Sequence, residues 1–219
     1  MITNATDPSW SGDGTLIAYT DATPGTPGIS DAEDDGSFPA SLGTGAGATQ
    51  PTFSFDGDSV AYSKTGDIFT INSDTTGNEL DLTNSVATEA DPAYSPDGSK
   101  IAFARNDGAT GYDLWIMNAD GTNPFQVTTA PGNERSPSWS PNGSKLVYTS
   151  AGELFTVPAA LSSTPTDLNV PGTDPAFSPD GAKIAYITGG NLAIVNSNGT
   201  STQVPFNRSP ASQRFHWYL

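Results

Sequence analysis

The groups with which this chain can do chemistry are oxygens. Its 219 residues hold 24 Asp and Glu, a single histidine, His216, and no cysteine. Without thiols there is no disulfide, no thiolate metal site and no cysteine nucleophile, and one imidazole leaves most acid–base and zinc chemistry without its usual residue. The sequence contains no Gly-x-Ser-x-Gly elbow, no His-Glu-x-x-His pair, no phosphate-binding loop and no dinucleotide-binding turn. The expectation is a protein that is not an enzyme, with no catalytic residues and no organic cofactor.

Carboxylates recur instead at fixed places. Asp7, Asp91 and Asp174 each precede a proline at the head of one repeated segment, Gln50 and Ser136 hold the other two heads, and Glu89 and Glu134 stand two residues ahead of Asp91 and Ser136. If the heads converge on one axis, Asp7, Asp91 and Asp174 offer an oxygen-lined cation site of the kind Ca2+ takes. With Glu89 and Glu134 they offer an acidic socket for a basic peptide. The plainer reading is that Asp before Pro starts a strand and hydrogen-bonds its own turn. Asp31, Glu33, Asp34 and Asp35 form the densest acidic run and read as a solvated loop, since the glutamate that would close a calcium loop is missing. Paired carboxylates also keep a glycoside hydrolase or lyase open as the enzymatic alternative.

Charge narrows the partners. Eight Lys and Arg against 24 Asp and Glu give a net charge of −16, which repels nucleic acid and anionic membrane surfaces and attracts basic or metal partners. No apolar run of about 18 residues is present to insert into a bilayer, and Met1–Trp10 shows no basic region followed by an apolar one, so no signal peptide is visible in this chain. Hydrophobic residues at 35% with 23 Gly fit a folded core rather than an acidic disordered chain.

The elements that must position these groups are repeats. Asp7–Tyr19, Gln50–Tyr62, Asp91–Phe103, Ser136–Tyr148 and Asp174–Tyr186 share one pattern, and their prolines at 8, 51, 92, 137 and 175 are 43, 41, 45 and 38 residues apart. A period near 40 matches a four-stranded propeller blade. In each unit a short first strand carries an aromatic, Trp10, Phe53, Tyr94, Trp139 or Phe177, which reads as core. An Asp-Gly or Asn-Gly turn follows, since these pairs tolerate the positive φ of a tight hairpin. The second strand is a continuous apolar run such as Ile101–Phe103, buried on both faces. Third strands are expected at Asp67–Ile71, Asp113–Met117, Glu153–Val157 and Asn191–Val195. Polar outer strands are expected at Glu79–Thr83, Phe125–Thr128, Thr166–Val170 and Thr202–Phe206. The first unit departs, with its third strand near Gly28–Ser30, its fourth near Phe38–Leu42 and the acidic run as the turn between. The whole reads as one all-β domain, with blades at about 7–49, 50–90, 91–135, 136–173 and 174–208.

The segment Asp-Pro-x-aromatic-Ser-Pro-Asp-Gly-x-Lys-Ile-Ala-aromatic, most complete at Asp91–Phe103 and Asp174–Tyr186, resembles the Pro-Asp-Gly repeat of TolB-type, WD-like propellers. The resemblance covers about Asp7 to Phe206. It implies four-stranded blades around a channel and an interaction platform, secreted, extracellular or periplasmic, that recognises a protein, peptide or glycan through loops at one face. TolB-type members are similar to a six-bladed ring preceded by an α/β domain, whereas five blades and no such domain are read here. At the end of the chain Arg208-Ser-Pro210-Ala-Ser212 starts like Arg135-Ser-Pro137-Ser-Trp-Ser140, then continues as Gln213–Leu219 without the Asp-Gly turn. Residues 209–219 are therefore a truncated sixth repeat, read either as a closing strand on the first blade or as a strand donated to a second copy in a self-assembling structural subunit. The donated-strand reading makes Arg214, Phe215, Trp217 and Tyr218 partner-contacting residues.

Overall fold

The structure is a computed structural model and describes residues 4–25, 27–74, 78–108 and 111–200. It is an all-β propeller of five blades in chain order. Blade one contains β1 (Ala5–Trp10), β2 (Leu16–Asp21), β3 (Gly28–Glu33) and β4 (Ala40–Ser41). Blade two contains β5 (Thr49–Phe53), β6 (Ser59–Lys64), β7 (Asp67–Asn72) and β8 (Leu80–Asp81). In blade three the strands are β9 (Thr88–Tyr94), β10 (Lys100–Asn106), β11 (Asp113–Asn118) and β12 (Phe125–Gln126). Blade four has β13 (Arg135–Trp139), β14 (Lys145–Ser150), β15 (Glu153–Pro158) and β16 (Thr166–Pro171). Blade five shows β17 (Thr173–Phe177), β18 (Lys183–Thr188) and β19 (Asn191–Asn196) among the described residues; the expected fourth strand at Thr202–Phe206 lies outside them. Each sheet is an antiparallel meander. The first strands of successive blades pack on one another and so form the inner wall.

The turn between first and second strands is built five times in the same way. Ser95 Oγ donates to Asp97 Oδ1 at 2.6 Å and accepts from Lys100 N at 3.0 Å. Ser11, Ser54, Ser140 and Ser178 repeat both bonds with Asp13, Asp56, Asn142 and Asp180. The positive φ falls on the glycine alone, at 68–77° for Gly14, Gly57, Gly98, Gly143 and Gly181. The Asp therefore contributes its carboxylate rather than a left-handed backbone. These bonds hold Asp13, Asp56, Asp97 and Asp180 below the usual carboxylate range.

Packing runs between blades. The apolar second strands are buried on both faces, as with Val60, Ala61 and Tyr62. Residues of one blade close on the next: Leu154 of blade four packs with Ile184, Tyr186 and Val195 of blade five, and Ile68 of blade two with Ile101 and Phe103 of blade three. Three observed outer strands, β4, β8 and β12, are only two residues long, shorter than the polar segments suggest, because an edge strand has one neighbour and one solvated face. Blade one also differs from expectation. β3 continues through Asp31 to Glu33, which pair with Ala18 and Leu16, so only the last part of the acidic run turns the chain. Trp10 is 55% exposed where its counterpart Trp139 is 8% exposed. The difference arises because Trp139 lies on blade three, while no strand of blade five packs extensively on blade one among the described residues.

Candidate functional site at the inner-strand starts

Antiparallel order puts the starts of the first and third strands and the ends of the second at one end of the propeller. All five heads lie there in a strained form. Asp7, Gln50, Asp91, Ser136 and Asp174 have φ of 51, 57, 54, 52 and 51°, an uncommon region for residues with a Cβ. Each precedes a proline that cannot donate to the ladder, and at each the pairing register shifts by a bulge.

The heads and the side chains beside them form a polar belt across the blade seams. Thr20 Oγ1 donates to Asp7 Oδ2 at 3.0 Å and accepts from Gln50 N at 3.1 Å. Gln50 Oε1 accepts from Asp91 N at 3.2 Å, and its amide nitrogen donates to the Asp91 carboxylate. Asp91 also receives Arg135 Nε at 2.5 Å, Arg135 Nη2 at 3.1 Å and Ser136 N at 3.0 Å. Ser136 Oγ donates to Asp174 Oδ1 at 3.2 Å. The pairing with Asp91 pushes the Arg135 guanidinium up, against the opposing effect of its burial.

Asp7, Asp91 and Asp174 thus lie on β1, β9 and β17, in three non-adjacent blades. Among the described residues no three acidic or imidazole side chains stand close enough to hold a metal ion. The structure brings the three aspartates into one belt, and the carboxylate of Asp91 is occupied by arginine and amide donors.

Glu89 and Glu134 occupy equivalent buried niches behind the belt, which differ in two residues: Ser85 and Arg105 beside Glu89 are replaced at the corresponding positions by Ala130 and Ser150. Glu89 accepts from Ser85 Oγ at 2.7 Å and lies 3.6 Å from Arg105 Nη1. Glu134 accepts from Ser150 Oγ at 3.0 Å and from Thr128 Oγ1 at 3.5 Å. Ser150 holds in blade four the place of Arg105 in blade three, at the end of the second strand. Burial pushes the Glu89 carboxyl up, partly opposed by Ser85 and Arg105. With no cation in its niche, Glu134 is pushed up to about 7, by burial first, with Asp113 adding repulsion. Asp113 is itself raised by burial. Asp113 and Glu134 are the pair that most resembles acid–base equipment, but Glu134 is 2% exposed, so a glycosidic oxygen cannot reach it. A cleft at the opposite end, between blades four and five, is lined by Lys145, Thr156, Phe177 and Asp180 and holds no carboxylate pair.

Around this end the loops differ from blade to blade. The Arg105 guanidinium stacks 4.8 Å from the centre of a Trp115 ring, and that of Arg135 lies 4.3 Å from the Tyr112 ring centre. Val86 stands fully exposed in the loop before β9. Composition gave no prior notice of Arg105, Tyr112 or Arg135. Lining up the second-strand ends Lys64, Arg105 and Ser150 is the signal that finds the first. Arg214, Phe215, Trp217 and Tyr218 lie outside the described residues.

No family model matches the chain, and no curated protein sequence does. Solved structures do match its fold. TolB from Acinetobacter baumannii aligns at TM-score 0.76 and 21% identity over 89% of this chain and 52% of that one. A propeller in a nidogen/laminin complex aligns at 0.75 and 11% identity over 93% and 78%. An oligogalacturonate lyase from Vibrio parahaemolyticus aligns at 0.65 and 14% identity over 94% and 66%. The chain has the TolB-type propeller fold and spans about half the length of the TolB chain it matches.

Proposed function

We propose that this propeller is a non-enzymatic protein-binding module that takes a basic segment of its partner at the end where the inner strands start. One observation carries the reading. Every described cation at that end, Lys64, Arg105 and Arg135, is already ion-paired, whereas Asp7, Glu153 and Asp174 on its rim take no cation among the described residues. A surplus of fixed negative charge on a rigid rim attracts and orients a positive partner. The Arg–aromatic stacks add side chains of the types enriched in binding hot spots. The opposite end repeats one Ser-x-Asp-Gly or Ser-x-Asn-Gly turn, varied by Glu33–Asp35 of blade one and by the cleft between blades four and five. A fold shared with the propeller of a nidogen/laminin complex supports protein recognition. The lyase likeness is weaker support for chemistry here, since an oligogalacturonate is itself an anion and would be repelled by a chain of net charge −16. The setting that accompanies this reading is extracellular or periplasmic, as the TolB-type resemblance implies.

The test is selection of a displayed random peptide library on the purified protein. Enriched peptides are expected to carry excess Lys and Arg, to bind more weakly as salt rises, and to lose about tenfold in affinity against Asp7→Asn/Glu153→Gln. Asp58→Asn/Asp120→Asn at the opposite end should change nothing. Peptides without positive charge, or equal losses at both ends, would reject the proposal.

A further inference from the structure

At the turn end, the seam between blades four and five lacks groups that fill the same places elsewhere. Lys100 and Lys183 give their ammonium groups to Asn118 and Asn196 Oδ1 at 3.3 and 3.2 Å, across the β10–β11 and β18–β19 ladders. Lys145 holds the same repeat position in blade four, but its ladder partner is Pro158, and its ammonium meets no acceptor among the described residues. Thr70 of blade two stands 3.5 Å from the Tyr94 hydroxyl of blade three. In blade four that threonine is Thr156, and the ring of the next blade is Phe177, which has no hydroxyl. Asn142 stands where the other four turns carry the carboxylates of Asp13, Asp56, Asp97 and Asp180. The result is a cleft of about 260 Å3 whose lining includes Asn142, Lys145, Thr156, Phe177 and Asp180.

That lining holds unspent donors, an unspent acceptor and an apolar ring. Asn142 uses its side-chain oxygen on Ser140 Oγ, Ser144 N and Ser144 Oγ, and its amide nitrogen has no acceptor among the described residues. Asp180 Oδ1 accepts from Ser178 Oγ at 2.6 Å and Ala182 N at 2.9 Å, which leaves Oδ2 to accept from a ligand. Thr156 is 8% exposed, and its hydroxyl has no partner among the described residues. Phe177 is half-buried and packed against the core of blades four and five. Because the lining carries Lys145 and Asp180, an ion of either sign gains at one wall and loses at the other. A neutral molecule that both donates and accepts, and that has an apolar face, gains at each, and it is indifferent to the net charge of −16. We propose that this cleft binds one neutral saccharide residue, with hydroxyls on Lys145, Asn142 and Asp180 and a C–H face on the Phe177 ring. Its volume is below the roughly 300–1,000 Å3 of clefts that hold drug-sized ligands, which limits the occupant to one ring. The site lies at the end opposite the proposed peptide rim and uses none of its residues.

The test is ligand-observed saturation-transfer NMR with the methyl glycosides of glucose, galactose, mannose and N-acetylglucosamine, and with glucuronate and glucosamine as charged comparisons. At least one neutral glycoside is expected to bind at millimolar concentration. Lys145→Met, at an exposed position, should weaken that binding about tenfold. Pro158→Asn removes no group from the cleft but gives Lys145 the acceptor that Lys100 has, and it should weaken binding several-fold. Phe177→Leu keeps apolar bulk on the core while removing the flat ring, with a similar loss expected. Lys100→Met in blade three should change nothing. Binding that survives the three cleft substitutions, tighter binding of glucuronate or glucosamine than of every neutral glycoside, or no saturation transfer to any member of the panel would overturn the proposal. None of these substitutions involves Asp7 or Glu153, so failure here is separable from failure of the peptide-binding reading.

Discussion

Replacing Glu134 by glutamine should abolish most of a stability change that the wild-type protein shows between pH 5 and pH 8. In the native niche the carboxyl is 2% exposed, faces Asp113 and has only hydroxyl donors, and its pKa stands at about 7 against an ordinary 4.5. The folded state therefore holds a proton that the unfolded chain releases. Stability from this group is fully present below pH 4.5 and falls as pH rises through 7, at up to about 1.4 kcal/mol per pH unit. Integrated from pH 5 to 8, the loss is roughly 2–3 kcal/mol, a sizeable share of the 5–15 kcal/mol typical of a whole domain. The lowered aspartates of the turns act with the opposite sign and in a lower window: their contribution is present above the unfolded value of 3.8 and is lost as pH falls below it. The two effects are thus separable. Urea denaturation at pH 5, 6, 7 and 8 should show the wild type losing stability across the series while Glu134→Gln stays nearly level, with a small residual slope from Glu89. Parallel curves for the two proteins would refute the assignment of the proton to this niche.

Other substitutions follow from the same contacts. Arg105→Ser removes the cation facing Glu89, so the Glu89 carboxyl should rise further and the pH slope should steepen; Ser150→Arg should flatten it, both read from the same urea series. Ser95→Ala removes an acceptor for Lys100 N and a donor to Asp97, which should cost about 1–2 kcal/mol and raise the Asp97 pKa in an NMR titration. Gly12→Ala would place a Cβ 2.1 Å from the Phe55 carbonyl oxygen and should cost about 2–3 kcal/mol through forced backbone movement. Gly143→Ala meets nothing within 4 Å at φ +68° and should cost only about 1 kcal/mol of left-handed strain. Equal losses at the two glycines in thermal melts would remove the packing argument.

What was legible in the sequence was local. The Asp-Gly and Asn-Gly turns, the apolar second strands and the period near 40 depend on residues a few positions apart, and the structure keeps all five copies. The serine of each turn was equally visible, but its double hydrogen bond appears only once the turn is closed. The seams were not legible, because they join residues far apart in sequence: Arg135 meets Asp91, Ser136 meets Asp174 and Trp139 meets Ala93. From sequence the heads read either as strand starts that bond their own turns or as carboxylates converging on one axis. In the structure Gln50, Asp91, Ser136 and Asp174 bond across the seams, while among the described residues Asp7 accepts only from Thr6 and Thr20 of its own blade. Trp10 and Trp139 occupy one repeat position, yet one is exposed and the other is core, since burial at that position is decided by the preceding blade and not by the residue itself.

The belt also explains why an acidic face can be rigid. Each seam uses a different polar set: a threonine hydroxyl between Asp7 and Gln50, an amide pair between Gln50 and Asp91, a guanidinium between Asp91 and blade four, a hydroxyl between Ser136 and Asp174. Exchanging two blades would leave Asp91 without Arg135 or place carboxylates in contact, and an unpaired buried charge costs several kcal/mol. The polar seams therefore fix blade order where the apolar interfaces, being nearly alike, would not. The same commitment uses up the cations of this end in holding blades together, so the rim that faces outward is left with the carboxylates. A rim whose charges are held by the fold loses little freedom on association, and it is this fixed geometry, together with the arginine–aromatic stacks, that supports placing the proposed basic partner at this end.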